Sequence, residues 1–233
     1  MAARIWSPRT ICGGGSAAGS STASTPADPA GRRGGGMARR AWLPLVLVLA
    51  GIGPAWADGT LSGKLSADDR QRLETFDSVR GEAIGAARES DDKAALATLG
   101  QILSGKPETV RGATDLAGDW RCRVAKLGGN LPLVVYDWFR CRITDDAAGL
   151  RLDKVSGSQR TAGTFYDDAN AERLTYVGSA YYGYEGKPKP YGRDAERDQV
   201  GYLVRVGPDR LRLEFPSPRF ESQFDIMELE RAR

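Results

Sequence analysis

Two cysteines sit in matching surroundings, each between two arginines and behind an aromatic residue. Cys122 lies in W-R-C-R-V (120–124) and Cys141 in F-R-C-R-I (139–143). Period-two alternation places both cysteines on the apolar faces of neighbouring antiparallel strands, where directly opposed residues are close enough to bond. We therefore predict a disulfide between them. A catalytic dithiol is the alternative, but the C-x-x-C motif typical of such sites is absent.

The same alternation places four arginines together on the opposite face of these strands. They are Arg121, Arg123, Arg140 and Arg142. Like charges side by side destabilise a sheet, so this candidate binding face needs carboxylates or an anionic partner. Asp119, Asp137 and Glu228 are candidates to neutralise it as a solvated outer face. Binding of an anionic ligand or an acidic partner is the second interpretation.

A dense polar run, Y-G-R-D-A-E-R-D, occupies residues 191–198 after a K-P-K-P segment. Its composition predicts a loop between two strands. The charges could pair with one another, or could join the strands to the preceding helices. The alternative is a binding loop in which Arg193, Asp194 and Arg197 contact the ligand or partner.

The chain has no histidine, which excludes Ser-His-Asp and Cys-His catalysis and every histidine-ligated metal site. Paired aspartates at 145–146 and 167–168 fall at turns rather than in a recognisable catalytic arrangement. The sequence therefore predicts no catalytic residues, no metal site and no cofactor.

Residues 37–57 have the organisation of a secretory signal peptide: a basic start, an apolar stretch, and an A-x-A cleavage site at Ala55 and Ala57. Prolines and glycines interrupt the apolar stretch, which falls short of the roughly 20 apolar residues that a membrane span needs. We predict cleavage rather than anchoring, no stable membrane span after cleavage, and a periplasmic or secreted protein. General secretion is favoured over twin-arginine export at Arg39-Arg40.

Residues 1–36 are rich in Gly, Ala, Ser and Thr and predict a disordered leader. The leader is either a genuine extension or the product of a start placed too early, with Met37 as the initiator. The first 57 residues hold six of the 33 basic and one of the 30 acidic residues. The remainder therefore has 27 basic and 29 acidic residues, a net charge of −2, and no basicity that indicates a nucleic-acid partner.

Apolar residues recur at helical spacing over two stretches before residue 105. Ser66 is the predicted N-cap of the first helix, and Ser90 precedes the second. We predict a helical hairpin over 58–105 and a linker over 106–117. Such a hairpin is too short to be stable alone, so it must pack on the remaining domain.

From residue 118 onward the pattern changes to period two, with about eight short segments separated by turns. The predicted fold is mainly β with the N-terminal helical hairpin, and so α+β. Its antiparallel strands close into a small barrel over 118–233, because closure removes the exposed edges. In the second hairpin strand, Val135 is assigned to the same face as Phe139 and Cys141.

Five motifs have the spacing of a known family: W-R-C-R-V, W-F-R-C-R-I, S-G-S-Q-R (156–160), Y-G-R-D-A-E-R-D and P-R-F-E-S-x-x-D-I-x-E-L (218–229). Over roughly residues 65–230 they resemble the bacterial family called domain of unknown function 4893. The resemblance implies an exported protein of a kind found mostly in alphaproteobacteria, and it supplies no mechanism.

The segment L-A-G-D-W (116–120) resembles the G-x-W opening of the first strand in lipocalin-type barrels. It is also similar to the start of small periplasmic protease-inhibitor barrels, which likewise carry one disulfide. This resemblance implies a lipocalin-like barrel. The chain departs from those inhibitors by placing a helical hairpin, rather than a short extended arm, before the barrel.

Together these observations favour a non-enzymatic periplasmic barrel that binds an unknown small ligand or an envelope protein. The predicted binding surface combines the four arginines with the 191–198 loop. Two alternatives remain: an inhibitor of an envelope or secreted hydrolase, such as a protease or lysozyme, and an enzyme that works without histidine. Whether the barrel interior is hollow is left open.

Overall fold

The computed structural model describes residues 61–147 and 149–233. The predicted leader (1–36) and signal peptide (37–57), with the cleavage site at Ala55 and Ala57, lie outside the described residues. Within the described ranges, no helix combines the length and the apolar character needed to cross a membrane.

Within these ranges, nine antiparallel strands form one sheet that closes on itself. They are β1 (Gly118–Leu127), β2 (Leu133–Val135), β3 (Phe139–Asp146), β4 (Gly149–Lys154), β5 (Gln159–Asp167), β6 (Arg173–Tyr182), β7 (Asp198–Gly207), β8 (Arg210–Pro216) and β9 (Phe224–Arg231). Strands β1 and β3 to β9 follow one another around the sheet, and β9 pairs with β1. The short β2 pairs with the last residues of β1, on the same side as β3. The predicted closed barrel of about eight strands is confirmed.

The helical region consists of one turn and three longer helices. They are α1 (Leu61–Lys64), α2 (Ala67–Glu74), α3 (Phe76–Ala87) and α4 (Lys93–Leu103). The hydroxyl of Ser66 caps α2, as predicted, by accepting a hydrogen bond from the Asp69 amide. The first predicted helix is divided in two at Thr75, and α4 is capped by Asp92 rather than Ser90.

Helices α3 and α4 cover the outer face of β1, β2 and β9 with small and apolar side chains. The shared cluster includes Ala83, Ala87, Leu99, Ile102, Leu127, Phe224 and Ile226. Buried charges on β8 add polar contacts: Arg212 donates to the carbonyls of Ile102 and Leu103 at the end of α4, and Glu214 pairs with Arg80 of α3. These carbonyls have no partner within the helix, so the arginine stabilises the helix end on the barrel.

The barrel interior is packed at the end where β1, β4, β6 and β8 begin, which we call the closed end. Its buried side chains include Trp120, Ile143, Leu152, Leu174, Leu203, Leu211 and Leu229. The segment 106–117, predicted as a linker, lies against this end and buries Val110 and Leu116 completely. Trp120 Nε1 donates to the Leu116 carbonyl at 3.0 Å, so this segment is part of the core.

The Cys122–Cys141 disulfide joins β1 to β3 inside the barrel, with the two Cα atoms 5.9 Å apart. The predicted bond and its position on the inner face are confirmed. The register differs from the prediction, because Cys122 lies opposite Phe139 and Cys141 opposite Trp120. The cysteines are therefore diagonal neighbours, and their Cα separation falls within the usual range for a disulfide.

Val135 is the residue for which the predicted face is wrong. It pairs with the outward-facing Ala125 and packs beneath the helices, whereas Phe139 and Cys141 point into the barrel. Residues 136–138 lie between β2 and β3 and are not in strand conformation. Because of this interruption, odd-numbered residues face outward in β2 but inward in β3.

Candidate functional site

A cavity of about 660 Å³ opens at the opposite end of the barrel, where β1, β4, β6 and β8 finish; we call this the open end. Its apolar lining includes Val124, Phe139, Ala180, Phe215 and Met227. Its polar lining includes Lys126, Lys154, Thr161, Gln199 and Asp225. Small-molecule sites typically have volumes of about 300–1,000 Å³ and apolar walls with a few polar groups, so the cavity has the size and composition of one.

One buried tyrosine lies behind the cavity lining, next to the lining residues Thr161 and Phe215. The ring of Tyr176 rests on the main chain of Gly163 and Gly178, and a Cβ at Gly178 would lie 2.4 Å from its hydroxyl oxygen. Thr161 Oγ1 lies 2.7 Å from that hydroxyl and donates to Gln199 Oε1 at 2.5 Å, so it accepts a hydrogen bond from the tyrosine hydroxyl. Burial raises the pKa of Tyr176 far above its usual range, which keeps this hydroxyl neutral.

Lys154 is a buried cation in the cavity wall, with 5% of its surface exposed. Its Nζ donates to the Gln159 carbonyl at 2.6 Å and lies 3.9 Å from the centre of the Phe139 ring. Burial, followed by the charges of Arg160 and Lys126, lowers the pKa of Lys154 to about 8. None of the ion pairs in the described part of the chain includes this amine.

Lys126, in contrast, has acidic partners at the mouth. Its Nζ pairs with Glu221 and donates to Gln159 Oε1 at 3.3 Å. Burial lowers the pKa of Lys126, but Asp225 and Glu221 outweigh it and raise the pKa overall. Burial also raises the pKa of Asp225 to about 6, although Asp225 accepts a hydrogen bond from the Ser222 hydroxyl at 2.6 Å.

Exposed apolar side chains surround the mouth. Among the described residues, the large hydrophobic side chains that are exposed are Leu131, Tyr136, Tyr184 and Phe220. Tyr136 and Phe220 line the cavity, and Tyr184 stacks on the lining residue Tyr182. Leu131 follows the lining residue Asn130. The entrance therefore combines exposed apolar side chains with charged groups, as expected where an amphipathic ligand enters.

The four arginines of the cysteine motifs lie on the outer face of β1 and β3, and none of them lines the cavity. Three form ion pairs: Arg121–Glu230, Arg123–Glu228 and Arg142–Asp119. Two of the expected carboxylates, Asp119 and Glu228, are thus partners, and the Trp138 ring lies under the guanidinium groups of Arg121 and Arg123. Arg140 is exposed, and the described residues give it no ion pair. Anion binding by this face stays a prediction.

The three binding residues proposed in the 191–198 loop have different surroundings. Arg197 lines the cavity, lies 4.6 Å from the centre of the Tyr182 ring and pairs with Glu185. Asp194 pairs with Lys189, and Arg193 is exposed outside the cavity lining. The structure therefore brings only Arg197 to the open end.

The same loop joins the barrel to α2. The Tyr191 hydroxyl donates to Asp69, which also pairs with Arg72 at 2.8 Å. Arg72 in turn donates to the carbonyl of Asp198, whose carboxylate accepts from the Gly192 amide at 3.0 Å. This buried network corresponds to the structural interpretation of the loop.

Residues 62–229 match the family described as Domain of unknown function (DUF4893). The chain belongs to this family. The matched region of DUF4893 includes all of α2 to α4 and β1 to β8, and it ends within β9. No curated protein and no solved structure matches the chain.

Lys126 and Lys154 of this DUF4893 chain are the cavity residues that the sequence prediction missed. A usable signal was present, because each continues the inward alternation of its strand. Lys126 follows the inward residues Cys122 and Val124, and Lys154 follows the inward Leu152. A lysine at an inward position of a barrel strand indicates a wet or ligand-binding interior. Among the described residues, no group of three or more acidic or thiol side chains could hold a metal ion.

Proposed function

We propose that this protein is an exported, non-enzymatic barrel that binds a small amphipathic ligand in the cavity at its open end. The proposal rests on the difference between the two ends of the barrel interior. Apolar side chains fill the closed end, whereas the open end keeps a cavity of about 660 Å³ with a few converging polar groups. Clefts of this kind are the usual location of small-molecule sites, and barrel mouths are a frequent setting for them.

The mouth supports an amphipathic rather than a uniformly polar ligand. Val124, Phe215 and Met227 provide apolar walls, and Phe220 and Tyr136 extend that surface to the solvent. An apolar group that moves from water into this site gains roughly 25 cal/mol for each Å² of apolar surface removed from water. The polar groups at the mouth would then fix its orientation.

Export is supported by the disulfide and by the predicted signal peptide. A disulfide persists in oxidising compartments such as the periplasm and is rare in the cytosol. The Cys122–Cys141 bond is fully enclosed in the barrel core, so it has a structural position. The hydrolase-inhibitor hypothesis stays a prediction, because no described feature singles out an enzyme as the partner.

The proposal is tested by blocking the cavity with one side chain. Ala180 lines the cavity, and Ala180→Trp places an indole in it; Thr144→Trp adds the same side chain on the exposed outer face of β3 as the control. Titration with Nile red, a neutral apolar dye, is followed by fluorescence. We expect Ala180→Trp to weaken dye binding by about tenfold or more, a change of about 1.4 kcal/mol, and Thr144→Trp to leave it within about twofold.

Two results would contradict the proposal. One is an Ala180→Trp variant that folds and binds the dye as well as the original protein, which would place the dye elsewhere. The other is a folded original protein that binds no neutral or charged amphipathic molecule.

A further inference from the structure

Lys154 has unused hydrogen-bonding capacity inside the cavity. An ammonium group has three N–H donors, and the Gln159 carbonyl accepts one of them at 2.6 Å. The Phe139 ring covers another side of the group at 3.9 Å. Because Lys154 is buried, water can replace the missing partners only through the cavity itself. Burial of an ammonium group without a counter-ion is costly, so the arrangement favours an anion at this position.

The described residues do not supply that anion. Arg160 and Lys126, the charged neighbours that act on the amine, are both cations. The carboxylate of Glu221 is paired with Lys126. The carboxylate of Asp153, the residue before Lys154, accepts a hydrogen bond from the Tyr181 hydroxyl at 2.8 Å instead.

The acidic groups at the mouth limit the total charge of a ligand. Glu221 and Asp225 both line the cavity and both face Lys126. A ligand with a single negative charge would complete the pairing of Lys154. A second negative charge would meet these two carboxylates at low effective dielectric, where like charges repel strongly.

From this arrangement we infer that the ligand is an amphipathic monoanion whose acidic group becomes the counter-ion of Lys154. Its apolar part lies along Val124, Phe215 and Met227, and the ring of Tyr176 packs behind Phe215. The inference rests on the proposed function, and it adds the chemical class of the ligand. Amphipathic carboxylic acids belong to this class, whereas phosphate monoesters also have an anionic head group but carry additional charge.

The experiment compares three probes that share a dodecyl chain: dodecanoate, dodecanol and dodecyl phosphate. Each displaces Nile red from the full chain at pH 7, below the concentration at which the probe forms micelles. We expect dodecanoate to bind roughly 10- to 100-fold more tightly than dodecanol, the range for hydrogen bonds to a charged group. Dodecyl phosphate should bind more weakly than dodecanoate, because of Glu221 and Asp225.

Two variants test whether the preference for dodecanoate over dodecanol depends on the amine of Lys154. Lys154→Met keeps the length and apolar stem of the side chain and should bind dodecanoate and dodecanol equally. Lys189→Met is the control, because Lys189 belongs to the loop before β7 but is exposed and paired with Asp194. It should keep the full preference. Circular dichroism and cooperative unfolding verify the fold, and Lys154→Gln replaces the methionine variant if that variant fails to fold.

Several outcomes would overturn the inference. They are equal binding of dodecanoate and dodecanol by the original protein, a preference that survives in Lys154→Met, and dodecyl phosphate binding more tightly than dodecanoate. In each of these cases the cavity still binds a dodecyl chain and the proposed function stands. Absence of displacement by all three probes, together with absence of Nile red binding, would instead contradict the proposed function.

Discussion

The two ends of the barrel are formed by the same eight strands but have opposite interiors. At the closed end, Trp120 and Leu211 are almost completely buried, and the 106–117 segment covers them. At the open end, the inward positions are occupied by Lys126 and Lys154, and a cavity remains. Both ends therefore share a wall of paired strands, with β2 beside β1 at the open end, while the inward side chains decide whether an end is core or site. We expect stability to depend mainly on the closed end and ligand binding on the open end.

The largest expected effect comes from removing matched aromatic rings at the two ends. Phe165 is buried at the closed end, with its ring 5.5 Å from that of Tyr176, whereas Phe139 is half-buried in the cavity wall. Phe165→Ala should lower the free energy of unfolding by about 3–5 kcal/mol, because it leaves a void in packed core. Phe139→Ala should cost about 1–2 kcal/mol, because one side of its ring already faces the cavity. Denaturant unfolding measures both, and equal losses would contradict a difference between the ends.

The second prediction concerns the disulfide, which lies in the core cluster below the open end and ties β1 to β3. The cysteines are 19 residues apart in sequence. The double variant Cys122→Ala/Cys141→Ala should lower the free energy of unfolding by about 3 kcal/mol, the effect of closing a loop of this size in the unfolded chain. The protein that begins at residue 58, and so lacks Cys12, should show no free thiol without reductant. Two titratable thiols in the native protein would contradict the bond.

The third prediction is a substitution that increases the free energy of unfolding. Burial lowers the pKa of Lys154 from its usual 10.5 to about 8, so the folded state disfavours the charged amine. The resulting loss of stability is absent above about pH 10.5, where the amine is neutral in both states, and is complete below about pH 8. Lys154→Met should therefore stabilise the ligand-free protein at pH 7 by about 2 kcal/mol, after allowance for water in the cavity.

Denaturant unfolding of both proteins at pH 7 and at pH 10.5 tests this prediction. The stability gained by Lys154→Met should disappear at the higher pH. The charges of Arg160 and Lys126 also act on Lys154. Destabilisation by Lys154→Met at pH 7 would show that the lysine has a structural role, and would remove the reason for an anionic ligand.

The smallest effects are expected on the outer arginine face. Arg142 and Asp119 are both largely exposed, so Arg142→Gln should leave the denaturant midpoint of unfolding unchanged within error. Arg140→Gln, at a position without an ion pair among the described residues, is the matched comparison. Replacing Arg121, Arg123, Arg140 and Arg142 together by glutamine should leave Nile red and dodecanoate binding within about twofold, because these side chains do not line the cavity. A loss of retention on a phosphocellulose column in this variant would support the separate prediction that the outer face binds anions.

The alternation of apolar and polar residues was sufficient to predict the barrel, because it indicates which residues of each strand face inward. It also placed Cys122 and Cys141 on the inner face of neighbouring strands. The helical hairpin followed in the same way from spacing and from the Ser66 cap. The alternation predicted the wrong face for Val135, because residues 136–138 interrupt the strand. On each side of the interruption, pairing with β1 rather than the local sequence decides which residues face inward.

The cavity could not be predicted in this way. A period-two pattern states that Lys126 and Lys154 face inward, but not whether residues from other strands fill the space beside them. That depends on which side chains reach the same height in the closed barrel. Gly178, for example, leaves room for the Tyr176 hydroxyl, which a Cβ at this position would meet. Residues that are distant in the sequence determine this together, so no local window contains the information.

Because the Tyr176 ring rests on main-chain atoms of β5 and β6, it cannot sink further unless those two strands separate. Side-chain rotation alone would therefore not deepen the pocket for a longer guest. In a series of straight-chain fatty acids, each added methylene should increase affinity until the terminal methyl reaches the lining residues in front of Tyr176, and further carbons should add nothing. These residues and the glycine-supported tyrosine behind them would then set the longest acyl chain that the barrel accepts.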